Sequence, residues 1–275
     1  MPELPEVETI KRQLERVLVG KTIKNVEVRF GNRINLSAKK FVALLKGSKF
    51  KSIRRRAKIL ILDLSNKYSL LIHLKMTGKL LYVGDKILAT KHTHVIFYLN
   101  NGYKLFWEDV RKFGYIKVIK SDDLDLYFKK QGFGPEPLGK DFSFEIFKKC
   151  LDKSPKKKIK PLIMDQTCLA GVGNIYADEG LWYAGIQPLR PAASLKGKEL
   201  RELYIGLRKI LSEAIKYRGS SADSYLDVYG KRGEFVPKLK AYGREGEKCL
   251  RGDYGVIKKI RLGGRGTHFC PVHQK

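Results

Sequence analysis

The chain has 275 residues, 43% of them apolar, and its 56 Lys and Arg against 28 Asp and Glu give a formal net charge of +28. This composition excludes a disordered chain and permits two domains with buried cores. The positive charge indicates a polyanionic partner, with nucleic acid the first candidate and an anionic membrane the second.

The compartment follows from two missing patterns and from the cysteines. No apolar run reaches the ~20 residues that a membrane span requires, and the N-terminus lacks the basic-then-apolar pattern of a secretory signal. We therefore expect a cytoplasmic, nucleoid-associated protein. In a reducing compartment, four cysteines should be thiols or metal ligands rather than disulfides: Cys150, Cys168, Cys249 and Cys270.

The N-terminal segment predicts a helix over Glu3–Val19, because its apolar residues recur on one face. Pro5 suits the first helical turn and Gly20 suits the C-terminal cap.

The residues in front of this helix, MPE, are chemically unusual. If Met1 is removed, the chain starts with the secondary amine of Pro2, next to the carboxylate of Glu3. An α-amino group with a reference pKa near ~8 is partly unprotonated at neutral pH and can attack an electrophilic carbon. The residues alone leave two interpretations open: Pro2 is a nucleophile, or Pro2 and Pro5 only stiffen the helix entry.

Short alternating segments follow the helix and predict strands. They lie at Val26–Phe30, Ile59–Leu64, Leu70–Leu74, Val95–Leu99, Leu105–Trp107 and Tyr115–Ile119. Turn signals between them, such as Asn100-Asn101-Gly102, favour a β-sandwich or barrel.

Basic segments of this β region, RRRAK, HLKMTG and DVRKFG, carry candidate DNA-contacting residues: Lys58, Met76, Arg111 and Phe113. A Met and a Phe exposed on a basic surface suit wedges between base pairs. A neighbouring Arg can hydrogen-bond an orphaned base. In KHTHV, His92 and His94 alternate, so one should face inward while the other can contact a phosphate.

The second half predicts helices after a Gly- and Pro-rich linker, Gln131–Asp141. Helices are expected at Phe142–Leu151, at Lys160–Asp165, at Asn174–Ala184 and after a Ser194 cap. Around GVGN, a tight glycine turn and the free N–H groups of the helix that starts at Asn174 indicate a helix-two-turn-helix phosphate clamp. Lys160 and the run Lys156–Lys158 add charge to it.

The tail from Ala241 predicts a β-hairpin with Cys249 and Cys270 near its ends. With Asp253 and His273 these residues give the spacing C-x3-D-x16-C-x2-H, a ligand set for one structural Zn²⁺. Carboxylate oxygen is a less usual ligand than sulfur or nitrogen in such sites, so a metal-free hairpin is the alternative.

Seven motifs occur in a fixed order: PELPEVET, RRAK, HLKMTG, RKFG, GPEPL, GVGNIYADE and GRGTHFCP. Together they resemble the bacterial formamidopyrimidine-DNA glycosylases over essentially the whole chain. The resemblance implies an α+β multidomain fold. Its parts are an N-terminal catalytic β-sandwich with a leading helix (1–130), a linker (131–141), a helix-two-turn-helix DNA-binding domain (142–240) and a zinc-finger-type β-hairpin tail (241–275).

The resemblance also implies a bifunctional DNA glycosylase and AP lyase of base excision repair, which removes 8-oxoguanine and formamidopyrimidines. Pro2 would attack C1′ of the damaged nucleotide, and Glu3 would handle protons at the sugar, with Glu6 a further active-site carboxylate. Lys58 would assist proton transfer in elimination. Arg265 would hold phosphates and assist δ-elimination.

DNA contacts are implied in the same way. The gap left by the flipped nucleotide would be filled by Met76, Arg111 and Phe113. Backbone phosphates would be bound by His92, Arg111, Lys160 and Asn174, and by Lys156 in place of a basic residue near Pro155. The loop over Gly219–Phe235 would close over 8-oxoguanine. The partner is double-stranded DNA with oxidised bases or abasic sites, the protein is expected to be a monomer, and the chemistry needs no cofactor.

Two other functions remain open. One is an endonuclease VIII-type glycosylase, which prefers oxidised pyrimidines. The other is a non-catalytic binder of damaged DNA. The joint presence of Pro2, Glu3, Lys58 and Arg265 argues against a pure binder, since binding alone does not require a free N-terminal proline.

Overall fold

The computed structural model describes residues 1–275. By contacts the chain divides into two compact units. The first comprises Met1–Lys130 and Tyr217–Glu234, and the second comprises Gln131–Lys216 and Phe235–Lys275. None of the helices combines the length and the apolarity that crossing a bilayer requires.

The first unit contains three helices and eight strands. The helices are α1 (Leu4–Leu18), α2 (Ala38–Leu45) and α3 (Leu124–Gln131). The strands are β1 (Ile23–Val28), β2 (Phe50–Arg56), β3 (Ile59–Leu64), β4 (Tyr68–His73), β5 (Gly78–Val83), β6 (Thr93–Leu99), β7 (Lys104–Asp109) and β8 (Tyr115–Lys120).

The eight strands form two antiparallel four-stranded sheets, in the orders β1-β6-β7-β5 and β2-β3-β4-β8. Side chains of both sheets and of α1 share one buried apolar core, with Leu14, Leu62 and Phe97 fully buried in it. The β-sandwich with a leading helix is therefore confirmed. Sequence patterning missed α2, α3, β2 and β5, which have six to eight residues each and are too short to show a clear periodicity.

The second unit contains α4 (Phe144–Asp152), α5 (Ile159–Ile163), α6 (Asn174–Ala184), α7 (Gly197–Lys216), β9 (Lys258–Leu262) and β10 (Arg265–Phe269). α6 packs against α7 and β10, and β9 pairs with β10 as an antiparallel hairpin. The helices and the hairpin tail are thus confirmed.

Two expectations about this unit are wrong. Ser194 does not cap α7: it ends a 3₁₀ turn and its hydroxyl donates to the Pro191 carbonyl at 2.8 Å, while α7 begins at Gly197. Nor are all cysteines thiols, because the fold brings Cys150 of α4 and Cys168 into a disulfide.

Candidate active site and DNA-contacting residues

The start of α1 buries two carboxylates beside Pro2. Pro2 is buried, and Glu3 and Glu6 are 2% and 1% exposed. The Glu3 N–H donates to Glu6 Oε2 at 2.7 Å, and the Ser220 N–H donates to Glu6 Oε1 at 2.8 Å. Glu6 therefore fixes both the helix start and the segment after Arg218.

Gly219 explains why this close approach is feasible. Its φ is +82°, and a Cβ there would lie 2.6 Å from Glu6 Oε1. A side chain at this position would therefore displace the Glu6 carboxylate. This packing places the beginning of the predicted lesion-covering loop against α1, within the first unit.

A second attachment joins the same loop to the same face of α1, about two helical turns further along. Gln13 Nε2 donates to Asp227 Oδ2 at 2.9 Å, and the Val228 N–H donates to Gln13 Oε1 at 3.0 Å. Burial, together with the charges of Glu6 and Asp227, raises the pKa of Tyr225 well above its usual value. Tyr225 is therefore a neutral phenol at neutral pH.

Lys58 lies in the two-residue turn between β2 and β3, where Arg56 pairs with Ile59. The other turn residue, Ala57, has a φ of +52° and is buried. Lys58 itself is only 7% exposed. The turn thus presents a lysine within a mostly enclosed environment rather than on an open surface.

His73 is a residue of this region that sequence reasoning missed. Burial, with the nearby charges of Lys75 and Lys58, lowers its pKa from 6.5 to about 3. Its Nδ1 accepts the Lys75 N–H at 3.0 Å. The sequence feature that could have indicated it is its place in the motif HLKMTG, three residues before Met76. The imidazole is neutral and lies beside cations.

The Asp109 carboxylate organises the loop that presents Arg111 and Phe113. Its Oδ1 accepts the Arg111 N–H at 3.2 Å and also the Thr77 hydroxyl, while its Oδ2 accepts the Gly114 N–H at 2.7 Å. The Arg111 guanidinium lies 4.8 Å from the centre of the Phe113 ring. Phe113 is 46% exposed, so an arginine and a phenyl ring project together from a fixed turn.

Met76 and the two histidines of KHTHV also belong to the first unit. Met76 is half-buried, and its carbonyl accepts the Ser224 hydroxyl at 3.4 Å. His94 is buried with Nε2 2.7 Å from the Asp109 carbonyl, whereas His92 is half-buried. The expected division between an inward and an accessible histidine is present.

Lys160, expected on a phosphate, has a different position. It is 1% exposed, and its ammonium lies 2.7 Å from Asp178 Oδ1 and donates to the Thr267 hydroxyl at 2.7 Å. It also donates to the Gly266 carbonyl at 3.1 Å. A buried ammonium with these partners holds the β9–β10 hairpin to α5, and the contact of Lys160 with a DNA phosphate stays a prediction.

The remaining candidates of the second unit are closer to solvent. Asn174 begins α6 and is half-buried, and its Nδ2 donates to the Gly266 carbonyl at 3.0 Å. Arg265 begins β10 and is exposed, as is Lys156. Asn174 and Arg265 are thus brought together at one end of the hairpin, while Lys156 lies in the connection before α5.

A group of three donor residues in the tail fits a metal ion. The ligand atoms of Cys249, Asp253 and Cys270 lie within 4.8 Å of one another. His273, expected as the fourth ligand, is not brought into this group: its Nε2 lies 2.8 Å from the Trp182 carbonyl at the end of α6. Two sulfurs and a carboxylate suit zinc, which accepts all three donor types.

The whole chain is similar to known proteins of one family. Residues 1–116 match the family model of the formamidopyrimidine-DNA glycosylase N-terminal domain, and residues 133–225 match that of the H2TH domain of the same enzyme. A formamidopyrimidine-DNA glycosylase of Streptococcus pneumoniae is 41% identical over 275 residues, which cover 100% of this chain and 99% of that protein. One of Herpetosiphon aurantiacus is 43% identical over 277 residues, with 100% of both covered.

Solved structures show the same similarity. A mutant of the Lactococcus lactis FPG in complex with Fapy-dG containing DNA has a TM-score of 0.94 and 39% identity, with 100% of both chains covered. The complex of the Lactococcus lactis Fpg with abasic site containing DNA has a TM-score of 0.93 at 39% identity and 99% coverage of both chains.

Proposed function

Because the chain belongs to the formamidopyrimidine-DNA glycosylase family, we propose that it excises oxidised purines from duplex DNA and cleaves the strand at the resulting abasic site. A base within a duplex is out of reach of an enzyme, so the damaged nucleotide is flipped into a pocket of the protein. The observation that carries the proposal is the start of α1, where Pro2 lies buried beside the carboxylates of Glu3 and Glu6.

Pro2 is the nucleophile once Met1 has been removed. Its amine nitrogen forms a bond to C1′ as the bond from C1′ to the base breaks, and the departing base takes up a proton. Opening of the sugar ring leaves an iminium between Pro2 and C1′. Glu3, 2% exposed at the N-terminal end of α1, handles the protons at the sugar during these steps.

Strand cleavage follows from this single intermediate. The iminium acidifies C2′, loss of a C2′ proton expels the 3′ phosphate by β-elimination, and a second elimination expels the 5′ phosphate. Lys58 assists proton transfer in elimination, and Arg265 binds the phosphates that leave. No cofactor takes part in these steps.

Both units provide groups for binding DNA. In the first unit, Met76, Arg111 and Phe113 fill the gap left by the flipped nucleotide, and His92 contacts a phosphate. In the second unit, the N-terminal end of α6 at Asn174 binds a phosphate with its free N–H groups, and Lys156 adds charge.

The tail holds one structural Zn²⁺ through Cys249, Asp253 and Cys270, which fixes the hairpin that carries Arg265. The ion would be structural and supply no step of the reaction. The protein acts as a monomer in the bacterial cytoplasm, at the nucleoid where its substrate lies.

Substitution of Pro2 tests the chemistry. Pro2→Gly should bind a duplex containing 8-oxoguanine but lose most base release, because a primary amine on a flexible residue replaces the fixed secondary amine. Pro5→Ala is the matched control: it removes the other proline of the helix entry and should retain base release. Equal base release by Pro2→Gly and the unaltered protein would overturn the mechanism. Excision of thymine glycol in preference to 8-oxoguanine would assign the endonuclease VIII-type activity instead.

A further inference from the structure

The turn that presents Lys58 has an unfavourable backbone conformation. Arg56 pairs with Ile59, which leaves Ala57 and Lys58 as a two-residue hairpin turn. Such turns require a positive φ in the turn, which glycine, asparagine and aspartate adopt most readily. Here Ala57 has a φ of +52°, although its Cβ disfavours that region. Strained residues of this kind persist where the surrounding structure holds them.

Arg55 supplies one such contact. Its Nη1 donates to the Ala57 carbonyl at 2.9 Å, across the turn that it precedes. Its Nε donates to Glu8 Oε2 at 2.8 Å. One guanidinium thus holds the carbonyl that immediately precedes Lys58 and a carboxylate of α1 at the same time.

Glu8 ties the arrangement to the helix that begins after Pro2. It lies one turn of α1 beyond the helix start and is 16% exposed, while Arg55 is 10% exposed. Its second oxygen, Oε1, accepts Arg12 Nε at 2.9 Å from the next turn. Glu8 is therefore fixed on α1 by one arginine and fixes the Lys58 turn through the other.

We propose that Glu8 and Arg55 are positioning residues, which set the place of Lys58 relative to the α1 terminus that carries Pro2. This inference rests on the proposed function, in which Lys58 assists elimination at a sugar bound to Pro2. Neither residue touches the substrate; each acts through the Ala57–Lys58 turn. The planar guanidinium of Arg55 donates to Glu8 and to the Ala57 carbonyl at the same time. A lysine ammonium on a flexible stem cannot keep both hydrogen bonds in this geometry.

The test compares Arg55→Lys and Glu8→Gln with the unaltered chain in single-turnover strand cleavage of a duplex containing an abasic site. We expect cleavage to slow ~10- to 100-fold, since a displacement of about 1 Å at a catalytic group has effects of this size. The Kd for the same duplex should stay within about twofold, since neither side chain binds DNA. The matched control is Glu15→Gln, which breaks the exposed pair between Glu15 and Lys11 at 2.7 Å on the same helix and should leave the rate unchanged.

A double-mutant cycle with Lys58 separates positioning from general support of the fold. If Arg55 acts through Lys58, Arg55→Lys should slow cleavage when Lys58 is present. In a Lys58→Ala background the same substitution should cause little further loss of rate. Additive losses, or an unchanged rate in folded Arg55→Lys and Glu8→Gln, would overturn the inference. If Lys58→Ala itself leaves cleavage unchanged, the role given to Lys58 in the proposed function fails instead.

Discussion

Two hairpin turns of the same length carry the two basic residues assigned to strand cleavage, and they are built differently. Lys58 occupies a two-residue turn with Ala57, between Arg56 and Ile59. Arg265 directly follows the two-residue turn Gly263-Gly264, which links it to Leu262.

The glycine turn has φ values of +56° and +75°, as a type I′ hairpin requires, and it needs no bracing. The alanine turn has a φ of +52° at Ala57 and is held by Arg55 and Glu8. Arg265 is thus placed by the backbone preference of the glycine turn, whereas Lys58 is placed by contacts with residues outside its turn. Only the contacts at the Lys58 turn connect a basic residue to α1.

Substituting Lys58 and Arg265 one at a time should separate their roles. The largest effect is expected from Lys58→Ala, on strand cleavage. General acid–base assistance contributes about 10²- to 10⁴-fold. We expect strand cleavage at an abasic site to fall by ~10²-fold or more, with no change in the dependence of DNA affinity on salt. A changed salt dependence with normal cleavage would make Lys58 a phosphate ligand instead.

Arg265→Ala should act mainly on binding, since the exposed guanidinium is assigned to phosphates. Loss of one phosphate contact should reduce the slope of log affinity against log salt by about 1. Titrations of one duplex at several salt concentrations measure this slope. Arg251→Ala is a control on the same tail, because that guanidinium stacks on the Trp182 ring at 4.6 Å. An unaltered slope in Arg265→Ala would contradict the assignment.

Gly264→Ala should destabilise the second turn through its backbone alone. A Cβ at Gly264 meets no atom within 4 Å, yet its φ is +75°. The left-handed region costs a residue with a Cβ about 1–2 kcal/mol. Chemical denaturation should show a loss of this size, and DNA binding should weaken toward that of Arg265→Ala. Full stability would show that the turn tolerates a side chain.

The first turn should also contribute a pH dependence to stability, because the buried imidazole of His73 lies near the cations Lys58 and Lys75. Burial lowers the pKa of His73 to about 3 in the folded chain. The unfolded chain, with a reference pKa near ~6.5, binds the extra proton between these values. The free energy of unfolding should therefore fall as the pH drops below about 6.5, by up to ~1.4 kcal/mol per pH unit.

His73→Asn removes this titration, so the free energy of unfolding should fall less between about pH 6 and 5 in the variant than in the unaltered chain. Denaturant unfolding at several pH values checks it. An unchanged slope in the variant would show that His73 binds its proton as readily in the folded as in the unfolded chain, which would contradict the lowered pKa.

The smallest effect is expected from Ala57→Gly. Glycine relieves the positive φ but adds freedom to the unfolded chain, so a net gain of at most about 1 kcal/mol is expected. If Arg55 and Glu8 position Lys58, the variant should keep its cleavage rate while they are intact. Adding Arg55→Lys should reduce the cleavage rate more in the Ala57→Gly variant than in the chain that retains Ala57. Equal losses in both backgrounds would show that the strain plays no part in positioning.

Local pattern predicted a large part of the fold. Asn174–Ala184 has the bounds that its glycine turn and periodicity indicated, and α1 lies within one residue of its predicted ends at both sides. These elements carry their own start and stop signals in neighbouring residues.

Contacts between residues that are distant in sequence could not be predicted from local pattern. Lys160, next to a lysine run, is buried and contacts Asp178 and Thr267. His273 has ligand spacing, but the carbonyl of Trp182 holds its imidazole. The hydrogen bond from Arg55 to Glu8 joins residues 47 positions apart, and no local pattern indicates it.

The most direct test of the central claim is borohydride trapping on a labelled duplex with 8-oxoguanine opposite cytosine, followed by mass spectrometry of the linked peptide. The account predicts a covalent adduct at the nitrogen of Pro2, formed with release of the oxidised base. Base release with the adduct on a lysine would contradict the account. Base release without any adduct would also contradict it, provided that a duplex with an abasic site is not trapped either.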